Sequence, residues 1–248
     1  MKFRAGDHDV TVTIDGWSAL ERALRTRFAA GEGFALATLN LDHLTKLRHP
    51  GPFRAAYDAQ DLVTADGNPI VWCSRLAGQP VALLPGSDMI LPICRVAAEM
   101  DMPLGLVGST DESLAGAAEA LEAQVPGLRV VAKVAPPMGF DPAGPAADEI
   151  LRGLSAAGVR LCFLALGAPK QEILAARGRL IAPEIGFASI GAGLDFLSGQ
   201  QTRAPAWVRR LALEWLWRLL GSPRRMAARY GAAFRDLPGH LWRSWRMR

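Results

Sequence analysis

The sequence predicts a layered α/β fold with a mainly parallel sheet, and three observations predict it. Five short apolar runs each end in polar or glycine residues, and stretches rich in Ala, Leu and Glu separate them. Half of the 248 residues are apolar, enough to pack a full core. A run that stays apolar at every position, instead of alternating, belongs to a strand buried on both faces, as parallel strands are.

Taken in order, Val10-Thr11-Val12-Thr13-Ile14 alternates as a short strand, and Asp15-Gly16 is expected to cap a helix with apolar Trp17, Leu20, Leu24 and Phe28 at three- and four-residue spacing. Gly33 to Asn40 is the first fully apolar strand. The same event recurs at Leu62–Gly67, Leu104–Ser109, Leu161–Gly167 and Ile185–Gly191, with helices expected over Glu112–Gln124 and Gln171–Leu180. In such sheets ligands sit beyond the carboxyl ends of the strands. That rim holds Thr38, Asn40, Asp66, Gly67, Gly108 and Ser109, and then Gly167, Lys170, Gln171, Gly191 and Gly193. Each alone could simply close a turn; their joint placement makes the rim the candidate site.

Beyond Arg203 the texture changes. Pro205 to Leu220 reads as a helix that starts after a proline and ends at Gly221-Ser222-Pro223; Arg224 to Phe234 follows, and Trp242 and Trp245 stand among arginines. This tail holds eleven arginines against two acids, a net +9, so the remainder carries −5 of the total +4. Residues 1–202 are therefore expected to form the catalytic domain and 203–248 a basic helical appendage. Five of the seven tryptophans lie in that appendage, and Arg and Trp interleaved on helices suit an anionic lipid surface. Core packing of Trp207, Trp215 and Trp217 is the competing reading.

Asp66 is the sharpest chemical candidate: a carboxylate at the end of an apolar strand, aimed into the cleft, is placed to act as a general base. Thr38 and Asn40, two apart on a strand end, can point to one side and hydrogen-bond a ligand. Gly167-Ala168-Pro169-Lys170-Gln171-Glu172 lies between a strand and a helix whose first N–H groups can meet an anion. It is neither a phosphate-binding Walker loop nor a dinucleotide fingerprint. Asp7-His8-Asp9 has the DxD form that can hold a divalent ion, yet it precedes the rim, and no histidine pair has metal-ligand spacing, so no metal is expected. Cys73, Cys94 and Cys162 stand in apolar segments and are expected as buried thiols of a reducing compartment. No segment has the form of a signal peptide, and the longest uncharged stretch is too short to span a bilayer.

In order and spacing, Thr38-Leu39-Asn40, Ala65-Asp66-Gly67, Pro85-Gly86-Ser87-Asp88, Gly139-Phe140, Leu166 to Glu172, Gly191-Ala192-Gly193-Leu194-Asp195-Phe196, and Arg203-Ala204-Pro205 through Leu213–Leu219 to Pro223-Arg224-Arg225 resemble the WecG/TagA/CpsF glycosyltransferase family. The resemblance runs from about residue 10 to about residue 235. It implies a Rossmann-like fold with a membrane-contacting C-terminal appendage. It also implies an inverting, metal-independent glycosyltransferase that needs no cofactor and moves a sugar from a UDP-sugar donor to a polyprenyl-diphosphate-linked saccharide. The reaction is placed at the cytoplasmic face of the cell membrane, in cell-surface polysaccharide synthesis.

Carried over by position, Asp66 looks like the catalytic base, and Thr38, Asn40 and Gln171 line the substrate pocket. Gly67, Gly108, Gly167, Lys170 and Asp195 complete the candidate binding set on the rim, and Arg218, Arg225 and Arg229 resemble the arginines that reach the diphosphate. In one departure, Leu83 stands where many relatives carry Arg, so any donor contact made by that Arg is missing. Two other classes fit less well. A nucleic-acid-binding module would use the basic tail, but the body is acidic and no nucleic-acid partner is expected. An NAD-dependent oxidoreductase lacks its glycine fingerprint. Apolar tail helices leave self-association into a homo-oligomer open.

Overall fold

A computed structural model of the chain describes residues 1–200, 204–205, 207–208, 214–221 and 223–248. The elements are β1 (Lys2–Ala5), β2 (His8–Thr11), α1 (Trp17–Ala30), β3 (Phe34–Leu39), α2 (Leu41–Lys46), α3 (Pro52–Asp58), β4 (Leu62–Ala65), α4 (Asn68–Leu76) and α5 (Gly86–Glu99). They continue with β5 (Leu104–Gly108), α6 (Asp111–Gln124), β6 (Val130–Val134), α7 (Pro145–Ala156), β7 (Leu161–Ala165), α8 (Lys170–Ile181), β8 (Gly186–Ser189) and α9 (Gly193–Leu197). Toward the C-terminus α10 (Glu214–Gly221) and α11 (Pro223–Trp245) follow.

Six strands form one parallel sheet in the order β4-β3-β8-β7-β5-β6, flanked by helices: the Rossmann-like α/β architecture the sequence predicts. Every residue of β3, β4, β5 and β8 is buried, as expected for strands covered on both faces. Leu36, Leu62, Leu106, Phe163 and Ala188 face α1, α5 and α6; their alternates Ala35, Val107, Cys162, Leu164 and Phe187 face α7 and α8. Ala37, Leu39, Val63 and Ala65 pack in a third cluster under the hairpin, α2, α4 and α11.

The N-terminus departs from expectation. The strand lies at His8–Thr11, hydrogen-bonded antiparallel to Lys2–Ala5, and the chain has left it by Thr13 and Ile14, whose N–H groups donate to Val63 O at 3.0 and 3.1 Å. α1 begins at Trp17, but its cap is Gly16 and no side chain, Asp15 included, completes it. The edge strand β6 is a second addition. It alternates between half-buried and exposed positions, with Val131 and Lys133 on the exposed side, unlike the apolar runs beside it.

The expected domain boundary at 202/203 falls outside the described residues. α11 crosses α2 and α4, with Ala233 buried and Leu237 and Leu241 packed on the third cluster, so this part of the tail completes a core. Trp207, Trp217, Trp242 and Trp245 are exposed, and Trp215 sits edge-on to Phe234 at 4.9 Å. Cys73, Cys94 and Cys162 are free and buried as expected, and burial pushes the Cys94 thiol up to about 12. No described helix is long and apolar enough to cross a membrane.

Candidate functional site

The rim is built where β3 and β4 end side by side. Their register pairs Leu39 with Ala65, and the Asp66 N–H extends the ladder by donating to Leu39 O at 2.8 Å. This places the Asp66 side chain against Thr38 and Asn40, whose hydroxyl and amide donate to Oδ2 over 3.4 and 3.5 Å. Asn40 also caps α2, with its Oδ1 accepting the His43 N–H at 2.9 Å. The cap fixes which end of the amide is oxygen, and so turns Nδ2 toward Asp66. Gly67 follows at φ 104°, a backbone region open to glycine, and turns the chain directly into α4.

Behind this pair stands support that sequence reading did not find. Thr38 O accepts from the Tyr57 hydroxyl at 2.8 Å and from His43 Nδ1 at 2.7 Å; a carbonyl can only accept, so that imidazole nitrogen carries the proton. Tyr57 is fully buried, and burial pushes its phenol well above the usual range, with the charges of Glu172 and Asp66 adding to the effect. The signal available in the sequence was only His43 in the first turn after a capping Asn.

Next along the rim, β7 and β8 are joined by Gln171. Its Oε1 accepts the Gly191 N–H at 3.1 Å and its Nε2 donates to Glu172 Oε1 at 2.9 Å. Gly167 turns at φ 70° and Ala168–Pro169 is a cis peptide. Part of the donor capacity expected here is used internally: the Gln171 N–H donates to Gly167 O and the Ile173 N–H to Pro169 O. Lys170 opens α8 without an ion pair among the described residues. Glu172 is buried, and that burial lifts its carboxyl to about 7 against the opposing pull of the Gln171 amide, its own backbone N–H and Lys46.

At the far side, Gly108 has φ 123°, and a Cβ there would lie 2.5 Å from Ala165 O, so no other residue fits. Ser109 is held at φ 53°, uncommon for a residue with a side chain, and its hydroxyl donates to Asp195 Oδ1. Ser113 donates to the same oxygen at 3.0 Å and meets the Ser198 hydroxyl at 3.0 Å. Asp195 thus ties α9 to the ends of β5 and α6. Thr38, Asn40, Asp66, Gly67, Gly108, Gly167, Lys170, Gln171 and Asp195 all stand at one end of the sheet.

Two expectations lie elsewhere. Asp7-His8-Asp9 spans the hairpin turn, with Asp7 on Arg54 at 2.7 Å, His8 on Asp58 at 2.9 Å and Asp9 on Arg4 at 2.9 Å. Arg218 lies on α10 and Arg225 and Arg229 on α11, but their side chains are outside the described residues. Among the described residues no three His, Cys, Asp or Glu side chains gather as metal ligands do. Leu83 pairs with Ala65 and is 40 % exposed beside the rim.

The family model described as Glycosyl transferase WecG/TagA/CpsF family matches residues 9–248, nearly the whole chain. The chain belongs to the WecG/TagA/CpsF glycosyltransferase family. The chain is therefore a glycosyltransferase of cell-surface polysaccharide synthesis.

Proposed function

We propose that this member is an inverting, metal-independent transferase that moves a sugar from a UDP-sugar to a polyprenyl-diphosphate-linked saccharide, with Asp66 as the base. The observation that carries the reading is the convergence of the Thr38 hydroxyl and Asn40 amide on Asp66, beside Gln171 and Gly191. In one in-line displacement the Asp66 carboxylate takes the proton of the acceptor hydroxyl and that oxygen bonds to the anomeric carbon. The bond from the anomeric carbon to the UDP oxygen breaks, and UDP leaves with the electron pair, so the configuration inverts. The Gly167–Gln171 turn, Lys170 and the arginines of α10 and α11 supply positive charge to the diphosphate.

The lipid-linked acceptor places the reaction at the inner face of the cell membrane. Support comes from the exposed Trp242 and Trp245, with Arg246 stacked over Trp242 at 4.8 Å, and from a groove of about 360 Å³ where Arg4, Arg48, Arg235 and Arg243 outnumber its one acid, Asp236, which pairs with Arg48. Tryptophan suits the headgroup zone and arginine pairs with phosphate. A product assay with synthetic prenyl-diphosphate sugars and a panel of UDP-sugars tests the reading: transfer lost in Asp66→Asn supports it, and full turnover in that variant overturns it.

A further inference from the structure

Glu172 has no part in the transfer step, yet it is the most deeply buried acid of the rim, with 0 % of its surface exposed. It sits in the first turn of α8, next to Gln171. Its Oε1 accepts from Gln171 Nε2 at 2.9 Å, while its Oε2 meets no hydrogen-bond partner among the described residues. Gln60 stands against it, donating from Nε2 to Glu172 O at 3.2 Å and to Ala56 O at 2.8 Å. With both amide hydrogens engaged, Gln60 Oε1 is also buried and without a partner among the described residues. Two buried acceptors, on Glu172 and on the Gln60 that bonds its backbone, thus lack a donor among the described residues, a costly arrangement for groups out of water.

The surrounding charges do not make up the deficit. Lys46 of α2 reaches the site electrostatically but pairs with Asp42 at 2.8 Å, and Asp42 opposes it at Glu172. On α3, Arg54 and Asp58 are engaged by Asp7 and His8, and Tyr57 donates to Thr38 O. On the α7 side, Arg177 is taken by Asp148. Asp66 is the other acid whose charge reaches Tyr57.

We propose that Glu172 is a positioning residue of the pocket, held in the folded protein as a neutral carboxylic acid whose carbonyl oxygen fixes the Gln171 amide. The proton on its second oxygen supplies the cluster with its missing donor. Gln171 is then gripped at both ends, by Glu172 and by the Gly191 N–H, which sets the side chain between the ends of β7 and β8. Ionisation would leave an uncompensated charge beneath the pocket, near Asp66 and the diphosphate of the donor. This role in turnover rests on the reading of the rim as a UDP-sugar site; the protonation state does not.

The test separates the two. Infrared spectra of the full-length protein are compared across a pH titration, for the wild type and Glu172→Gln. A protonated-carboxyl C=O band that disappears near neutral pH in the wild type and is missing from the variant is expected. Absence of the band, or its persistence in Glu172→Gln, overturns the proposal. In the transfer assay, wild-type turnover falls about tenfold per pH unit on the alkaline side, as for loss of one required proton. The Gln variant loses that fall, because its amide presents both an acceptor and a donor. Glu172→Ala raises the UDP-sugar KM about tenfold, and Glu172→Gln restores it. Identical pH profiles for the wild type and Glu172→Gln overturn the positioning role. The expected band in a protein that transfers no sugar supports the protonation state and overturns the donor reading instead.

Discussion

Asp61 and Asp66 stand at opposite ends of the same four-residue strand, β4, and the chain uses them in opposite ways. At the amino end, Asp61 accepts from Arg27 at 3.2 Å, from Arg179 at 3.0 Å and from the Ala35 N–H at 2.8 Å. This binds α1, α8 and β3 together where the strands start. At the carboxyl end, Asp66 takes the Thr38 hydroxyl and Asn40 amide at 3.4 and 3.5 Å. Tight, charge-assisted contacts suit a fixed joint; long contacts to neutral donors can be exchanged for a substrate hydroxyl. The same side chain, five residues apart, is thus a joint at one end and, on the function proposed above, the reagent at the other, the division expected of a parallel α/β sheet.

The comparison breaks most sharply at Asp66. Asp66→Asn is isosteric and leaves Asp61 untouched, so transfer should fall about 10²–10⁴-fold, the range for loss of a general base, with little change in thermal midpoint. Initial rates and melting curves check this, and a large loss of stability would show that Asp66 is also structural. Asp61→Ala should do the reverse. It strands two half-buried guanidiniums, costing about 3 kcal/mol in urea unfolding, while turnover per folded molecule stays at the wild-type value.

A third carboxyl sharpens the contrast through pH. Burial lifts Glu172 to about 7 from the ordinary 4.5, so between these values the folded protein binds more protons than the unfolded chain. Raising pH through that window therefore favours unfolding. The stability that Glu172 allows is full below about 4.5 and lost by about 7, a difference on the order of 3 kcal/mol. Urea midpoints of wild type and Glu172→Gln should diverge across the window, with the variant flat. Parallel curves would mean that the carboxyl is ionised when folded.

The sheet and its rim were legible because burial on two faces writes itself into composition: Phe34–Leu39 and Leu161–Leu164 carry no polar interruption except Thr38. The ends of those runs pointed to Asn40 and Gln171, and the end of Leu62–Ala65 to Asp66, without any contact being known. The hairpin and β6 escaped because Lys2, Arg4, His8, Asp9 and Lys133 make exposed alternating strands look like charged loop. Partnerships escaped for a different reason. Asp61 meets Arg179 across 118 residues, Gln60 meets Glu172 across 112, and no local pattern encodes which acid meets two guanidiniums and which meets a hydroxyl and an amide. Asp61 and Asp66 look equivalent in sequence, each an acid at the end of an apolar run.

The smallest expected effect tests whether the loose end of β4 depends on its buried backing. Tyr57→Phe removes one of the two donors to Thr38 O but keeps the ring packed between His43 and Phe53, at 6.0 and 5.5 Å. The His43 bond at 2.7 Å remains, so the carbonyl is not orphaned and stability should fall by only about 1 kcal/mol. If Thr38 is held in place by that carbonyl, turnover should drop severalfold, with more of the change in kcat than in KM, because the Thr38 hydroxyl meets Asp66, the proposed base. A loss of stability with unchanged kcat would mean that His43 alone anchors Thr38. Tyr57 would then belong with Asp61 among the groups that hold the sheet, and the reactive end of β4 would begin one shell closer to Asp66.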